Sequence, residues 1–194
     1  FKEKLAARKD MPEAFHPLNH ASLQGSEGVV FRKQKDGSLL ATGANPAKAK
    51  YTLEFRPGEN AITGLRIEVL PDDSLGKKGP GRTPHGNFVL NDVRVYATDQ
   101  PKFDTKRDRV ALQSTKANYS QKDWPAKNSI DGKIGEGSKG TGWAVGNEYG
   151  KPHQLVISFS KTITLKNTSR LQVVLDQQYG SQHTIGRFRI NART

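Results

Sequence analysis

Stretches of this chain alternate strictly between apolar and polar residues, and a period of two restricts them to strands with one buried face. Tyr51-Thr52-Leu53-Glu54-Phe55 shows the pattern, and Ile62-Thr63-Gly64-Leu65-Arg66-Ile67-Glu68-Val69-Leu70 carries it further. Pro57-Gly58-Glu59-Asn60 between them has the composition of a hairpin turn. Gly28–Phe31, Leu39–Ala41, Phe88–Tyr96, Leu155–Phe159, Leu171–Leu175 and His183–Ile190 read as further strands. Only 34% of the 194 residues are hydrophobic, which suits a thin sandwich whose sheets each keep one wet face. The expected fold is all-β: a jelly-roll-like β-sandwich of about ten strands.

The strands recur in order. Ala21–Gln24 is answered by Val110–Gln113, Tyr51–Phe55 by Leu155–Phe159, Leu65–Val69 by Leu171–Leu175, and Phe88–Val95 by His183–Ile190. Ile130-Asp131-Gly132 with Thr141-Gly142-Trp143 is echoed by Asp36-Gly37-Ser38 with Thr42-Gly43. Asp36 and Asp131 are separated by the same interval as Phe88 and His183. The chain therefore reads as two related halves, 17–100 and 107–194, joined by a charged connector from Asp99 to Arg109 and sharing one core. Two separate cores of this size, without disulfides, would be less stable. Residues 1–16 differ: Phe1, Leu5 and Arg8 with Ala6 and Ala7 suit one or two helical turns of a tail or linker, ended by Met11-Pro12.

The chain has no cysteine, which excludes disulfides, thiolate metal sites and c-type haem attachment within it. No apolar run approaches the roughly 18 residues that span a membrane. The absence of an initiating Met and of a signal segment is read as the mark of a piece of a longer chain. Net charge is +12, which points to an anionic partner such as acidic polysaccharide or nucleic acid, or to a solvated basic surface. Nucleic acid is the weaker partner, because neither a recognition helix nor aromatics interleaved on a basic sheet face is present.

One set of motifs resembles a known family. Leu70-Pro71-Asp72-Asp73-Ser74-Leu75, Gly79-Pro80-Gly81-Arg82, Gly86-Asn87-Phe88-Val89-Leu90 and His183-Thr184-Ile185-Gly186-Arg187-Phe188-Arg189 are similar to the central segment of planctomycete multi-domain proteins. Those proteins carry a c-type cytochrome domain, so the resemblance implies haem only in the parent protein, flanking domains as partners, and an extracellular, periplasmic or cell-surface location. The Asp-Gly to Gly-Trp element is also similar to discoidin-like, galactose-binding jelly rolls, a superfamily with many carbohydrate-binding modules. That likeness implies Asp131 as a ligand of a structural calcium, with Asn128 and Thr141 near it in sequence. The alternative for Asp131 is an ordinary Asp-Gly turn.

Sugars are held by aromatic rings stacked on the pyranose face and by planar polar groups on the hydroxyls. Acidic sugars add Arg, which grips a carboxylate or sulfate with two parallel bonds. The candidates for ligand contact are Trp124, Trp143, Tyr149 and Tyr179, with Arg82 and His85 from the basic loop Lys77–His85, and His183. Each has a structural alternative: Trp143 as core, Trp124 as a plug over the sandwich end, Arg82 as a clamp on Asp72 or Asp73. Catalysis has no support in the motifs. The five histidines form no HExxH pair, and no Gly-x-Ser-x-Gly elbow is present. The expected function is a non-catalytic module that binds an anionic polysaccharide and anchors a larger exported protein. A structural spacer without ligand is the competing class.

Overall fold

The computed structural model describes residues 14–135, 137 and 140–194. The helical turns expected over Phe1–Met11 lie outside those residues. Among the described residues thirteen strands follow in chain order. They are β1 (Phe15–Pro17), β2 (His20–Gly25), β3 (Val29–Lys33), β4 (Leu39–Gly43), β5 (Ala49–Phe55), β6 (Asn60–Val69) and β7 (Val89–Leu90). Then come β8 (Asp92–Thr98), β9 (Leu112–Ala117), β10 (Trp143–Ala144), β11 (His153–Leu165), β12 (Arg170–Gln177) and β13 (Arg187–Arg193). The tail placed at 1–16 thus runs into the sandwich, since β1 pairs with β13.

The protein is an all-β sandwich. The small sheet has the order β2-β5-β12-β8, and the large one β3-β4-β13-β6-β11-β9, with β1 also on β13. A two-stranded piece, β10-β7, closes one end. Tyr51, Leu53 and Phe55 of β5 stand opposite Leu175, Val173 and Leu171 of β12, and all six are fully buried. From the other sheet Leu65, Ile67 and Val69 meet Leu155, Ile157, Phe188 and Ile190 in the same core. Each such side chain contributes about 1.5–3 kcal/mol on leaving water.

The two sheets have one plan. Exchanging β2, β5, β6 and β8 for β9, β11, β12 and β13 converts the order β2-β5-β12-β8 into β9-β11-β6-β13. Each sheet therefore takes its third strand from the other half. This interleaving is that of a jelly roll, while β2 and β9 stay at sheet edges beside β5 and β11. Leu171, Val173 and Leu175 face Ala97, Val95 and Val93, as Leu65, Ile67 and Val69 face Ala192, Ile190 and Phe188. These correspondences are those read from the sequence. For the first two strands the match moves. Leu53 takes the place of Leu155, not Ile157, and Leu23 that of Ala117, at the far end of β9 from Leu112-Gln113. The β11 shift is one whole pleat and preserves the apolar alternation, so periodicity does not fix it. The β9 shift is an odd number of residues, taken up by the register break between Ser158 and Phe159.

The turn at Pro57–Asn60 also differs from expectation. β5 and β6 lie in different sheets, so the segment arches across the core and is not a hairpin. Turn composition sets the bend and leaves the sheet assignment open. Asp36-Gly37 does join a hairpin, β3–β4. Asp131-Gly132 instead follows a 3-10 turn, Ala126–Ile130. Both aspartates make the same local bond, accepting the amide two residues on: Ser38 N–H at 3.0 Å and Lys133 N–H at 2.9 Å.

Candidate functional site

Four loops meet at one end of the sandwich. The first runs from Lys77 to Val89 and is laid along the segment before β13: Arg82 N–H donates to Thr184 O at 2.8 Å, and Val89 N–H to His183 O at 3.1 Å. Gly81 is required there, since a Cβ would stand 1.9 Å from Asn87 O. This pairing sets His85 beside His183, their ring centroids 5.3 Å apart. The second loop carries Tyr149 and is tied to the first by Gly150 N–H on Gly79 O, 2.8 Å.

Three carboxamides hold the remaining pieces. Gln121 Oε1 accepts from Gly146 N–H (2.9 Å) and Asn87 Nδ2 (3.0 Å), and Gln121 O accepts from Trp124 N–H (3.0 Å). Asn87 Oδ1 accepts from Val145 N–H at 3.2 Å. Asn91 Oδ1 accepts from Gln178 and Tyr179 N–H (2.7 and 3.1 Å), while its Nδ2 donates to Thr141 O (2.8 Å). Asn87, Asn91 and Gln121 were not among the sequence candidates. Their signal was present for the two asparagines, which flank the apolar run Phe88–Leu90, where a buried carboxamide must find partners.

The result is a cavity of about 190 Å³ lined by His85, Trp124, Tyr149, Tyr179 and His183, with Asn87, Val89 and Gln121. Its five rings form a continuous band. Tyr149 to His85 is 5.9 Å between centroids, His183 to Tyr179 4.5 Å and Tyr179 to Trp124 5.3 Å. All five are half-buried. Lys77 Nζ lies 6.0 Å from the Tyr149 centroid, at the outer range of a cation–π contact. His183 Nδ1 is 2.9 Å from Gly180 O, which can only accept, so Nδ1 carries the proton and Nε2 is the acceptor in the neutral ring. Burial lowers the His183 pKa, the Gly180 bond opposes this, and the charge of His85 lowers it again.

Backbone strain gathers around the same cavity. Among the described residues, positive φ at non-glycine positions occurs at Glu27 and at Lys77, Lys78, Asp123, Asn147, Ser181 and Gln182. All but Glu27 belong to the loops that carry the five rings. Left-handed backbone costs about 1–2 kcal/mol per residue and persists only where surrounding contacts impose it.

The other expected residues lie elsewhere. Trp143 is fully buried, packs edge-on against Phe88 at 5.1 Å and donates Nε1–H to Tyr119 O at 2.9 Å. It is a core residue, placed there because β10 begins under the closing turn. Arg82 points away from the rings: its guanidinium reaches Gly43 O at 3.4 Å, and Asn45 Nδ2 donates to its carbonyl. Asp72 and Asp73 are paired instead with Arg187 and Lys78. Asp131 Oδ1 accepts from Lys133 N–H and from Thr141 Oγ1, whose hydroxyl also lies 3.0 Å from Lys133 O. These are three hard oxygens of the kind calcium takes, against the roughly six to eight of a full shell. Among the described residues no three His, Cys, Asp or Glu side chains are grouped to hold a metal.

No known family model and no curated protein matches this chain. Among the described residues no helix is long and apolar enough to cross a membrane. Chemically, the cavity offers a polar lining of imidazole nitrogens, ring hydroxyls and carboxamides set between aromatic side chains, with a positive charge at its rim.

Proposed function

We propose that this domain is a non-catalytic carbohydrate-binding module and that the five-ring cavity seats one sugar residue of an anionic polysaccharide. The observation that carries the reading is the convergence of Trp124, Tyr149, Tyr179, His85 and His183, from four separate loops, on one strained cavity. A volume of about 190 Å³ is below the roughly 300–1,000 Å³ of sites for drug-sized ligands, so it takes one ring of a polymer. Trp124 and Tyr179 wall the cavity, its polar lining meets the sugar hydroxyls, and His183 Nε2 accepts from one of them. Lys77 and the net charge of +12 favour an acidic chain. In the longer protein such a module anchors flanking domains to an extracellular or cell-surface matrix. A structural calcium at Asp131 belongs to the same proposal, as an accessory of the neighbouring loop.

Affinity electrophoresis in gels containing pectin, alginate, carrageenan or fucoidan tests this, with a chelator as one arm. Retardation by at least one polymer is expected, weakened at least tenfold by Trp124→Ala or Tyr179→Ala and unchanged by Arg82→Ala. No retardation in any gel would leave a spacer domain as the better description.

A further inference from the structure

A second cavity, of about 500 Å³, lies on the outer face of the large sheet, where β1 meets the β3–β4 hairpin. Phe15, Pro17 and Leu18 make an apolar wall, and His20, Lys33, Arg66 and Arg189 also line it. None of these residues belongs to the aromatic cavity.

The basic groups there outnumber the acids that serve them. Glu68 Oε2 already accepts from Arg189 Nε (2.8 Å) and Asn191 Nδ2 (2.7 Å). Arg66 NH2 stands 3.7 Å from the same oxygen, beyond hydrogen-bond length. Arg66 Nε is buried with no hydrogen-bond partner among the described residues. The Phe15 ring, 4.4 Å away, stacks on the guanidinium and fixes its plane without satisfying an N–H. Asp36, the acid that lines the cavity, is bonded to Arg187 at 2.8 Å. Lys33 makes no ion pair among the described residues. The imidazole of His20 reports the resulting field, since its pKa is lowered first by burial and then by the charge of Lys33.

We propose that this cavity is an oxyanion site in which Lys33, Arg66 and Arg189 hold a sulfate, phosphate or carboxylate group. Arg66 supplies a guanidinium held in plane by Phe15 and short of a full acid partner, Lys33 a mobile charge, and Arg189 the third cation. The wall of Phe15, Pro17 and Leu18 accommodates the body of a molecule that carries the group. The site is independent of the five-ring cavity and stands whether or not that cavity binds sugar.

The test uses the whole chain and two probes, sodium sulfate and glucose 6-sulfate, titrated against matched chloride while amide and Arg side-chain NMR shifts are followed. Saturable shifts confined to Phe15–His20, Lys33, Arg66 and Arg189 are expected. Lys33→Ala, on an exposed strand end where folding is unaffected, weakens binding about tenfold. Arg66→Gln does the same, and Trp124→Ala leaves the affinity unchanged. Tighter binding of glucose 6-sulfate assigns the site to a carried group, and equal affinity assigns it to the free ion. Non-saturating shifts spread over all basic residues, or wild-type affinity in both Lys33→Ala and Arg66→Gln, would overturn the proposal.

Discussion

Trp124 and Trp143 are the only two tryptophans, and they divide stability from recognition. Trp143 is enclosed on all sides, so Trp143→Ala should cost about 3–5 kcal/mol in chemical denaturation. Trp124 is half-buried at a cavity wall, and Trp124→Ala should shift the unfolding midpoint far less while removing binding. Trp143 follows a glycine-rich loop and Trp124 a polar one without glycine, so the residue type alone did not separate them. What separates them is the indole N–H, which for Trp143 is satisfied by a main-chain carbonyl 24 positions away. Histidines make the second residue-scale prediction. His20 and His183 both have native pKa values below 6.5, chiefly through burial. Around pH 6.5 and just below, the unfolded chain therefore binds more protons than the native one. Stability should fall as pH drops from 6.5 toward the native values, and urea denaturation at a series of pH values should show a shallower fall in His183→Gln.

At the scale of strands, the large sheet depends on a close approach between β6 and β11. Gly64 lies opposite Ser158, next to a break in register, and a Cβ there would sit 2.3 Å from Ile157 O. Gly64→Ala should cost about 1–3 kcal/mol, measurable as a lower urea midpoint with unchanged slope. In the sequence this glycine interrupts an otherwise regular alternation, and that was its only mark. The long strands were legible because ten of the thirteen have five or more residues, enough for a period of two to declare itself. β7 lay inside the single run read as Phe88–Tyr96, and at two residues each neither β7 nor β10 has a period of its own. The aromatic cavity was legible as a set of residues, because rings in polar, glycine-rich loops lack a core to enter. It was not legible as an arrangement. The carboxamide bonds of Asn87, Asn91 and Gln121 that draw four loops together join positions up to 88 residues apart, and no local pattern encodes them.

For the whole molecule, the exchange of third strands decides how it folds. β6 completes the sheet of the second half, and β12 that of the first. Residues 17–100 or 107–194 produced alone should lack protected strands by amide exchange, and mixing the two should restore them. A stable isolated half would contradict the shared core. The topology is stricter than the sequence echo implied, since two similar halves could equally have formed two stacked copies. Hydrophobic content and net charge had bounded the class of protein but carried nothing about this interleaving.

The pairing of Phe15 with Arg193 sets the start of β1 and the end of β13 side by side in the large sheet. Tension applied through those two ends meets β1 and β13 in unzipping geometry, one residue pair after another. Under load the short β1 peels first, giving a little slack and lifting Phe15 and Pro17 off the wall of the basic cavity, while the sandwich and its aromatic cavity stay closed.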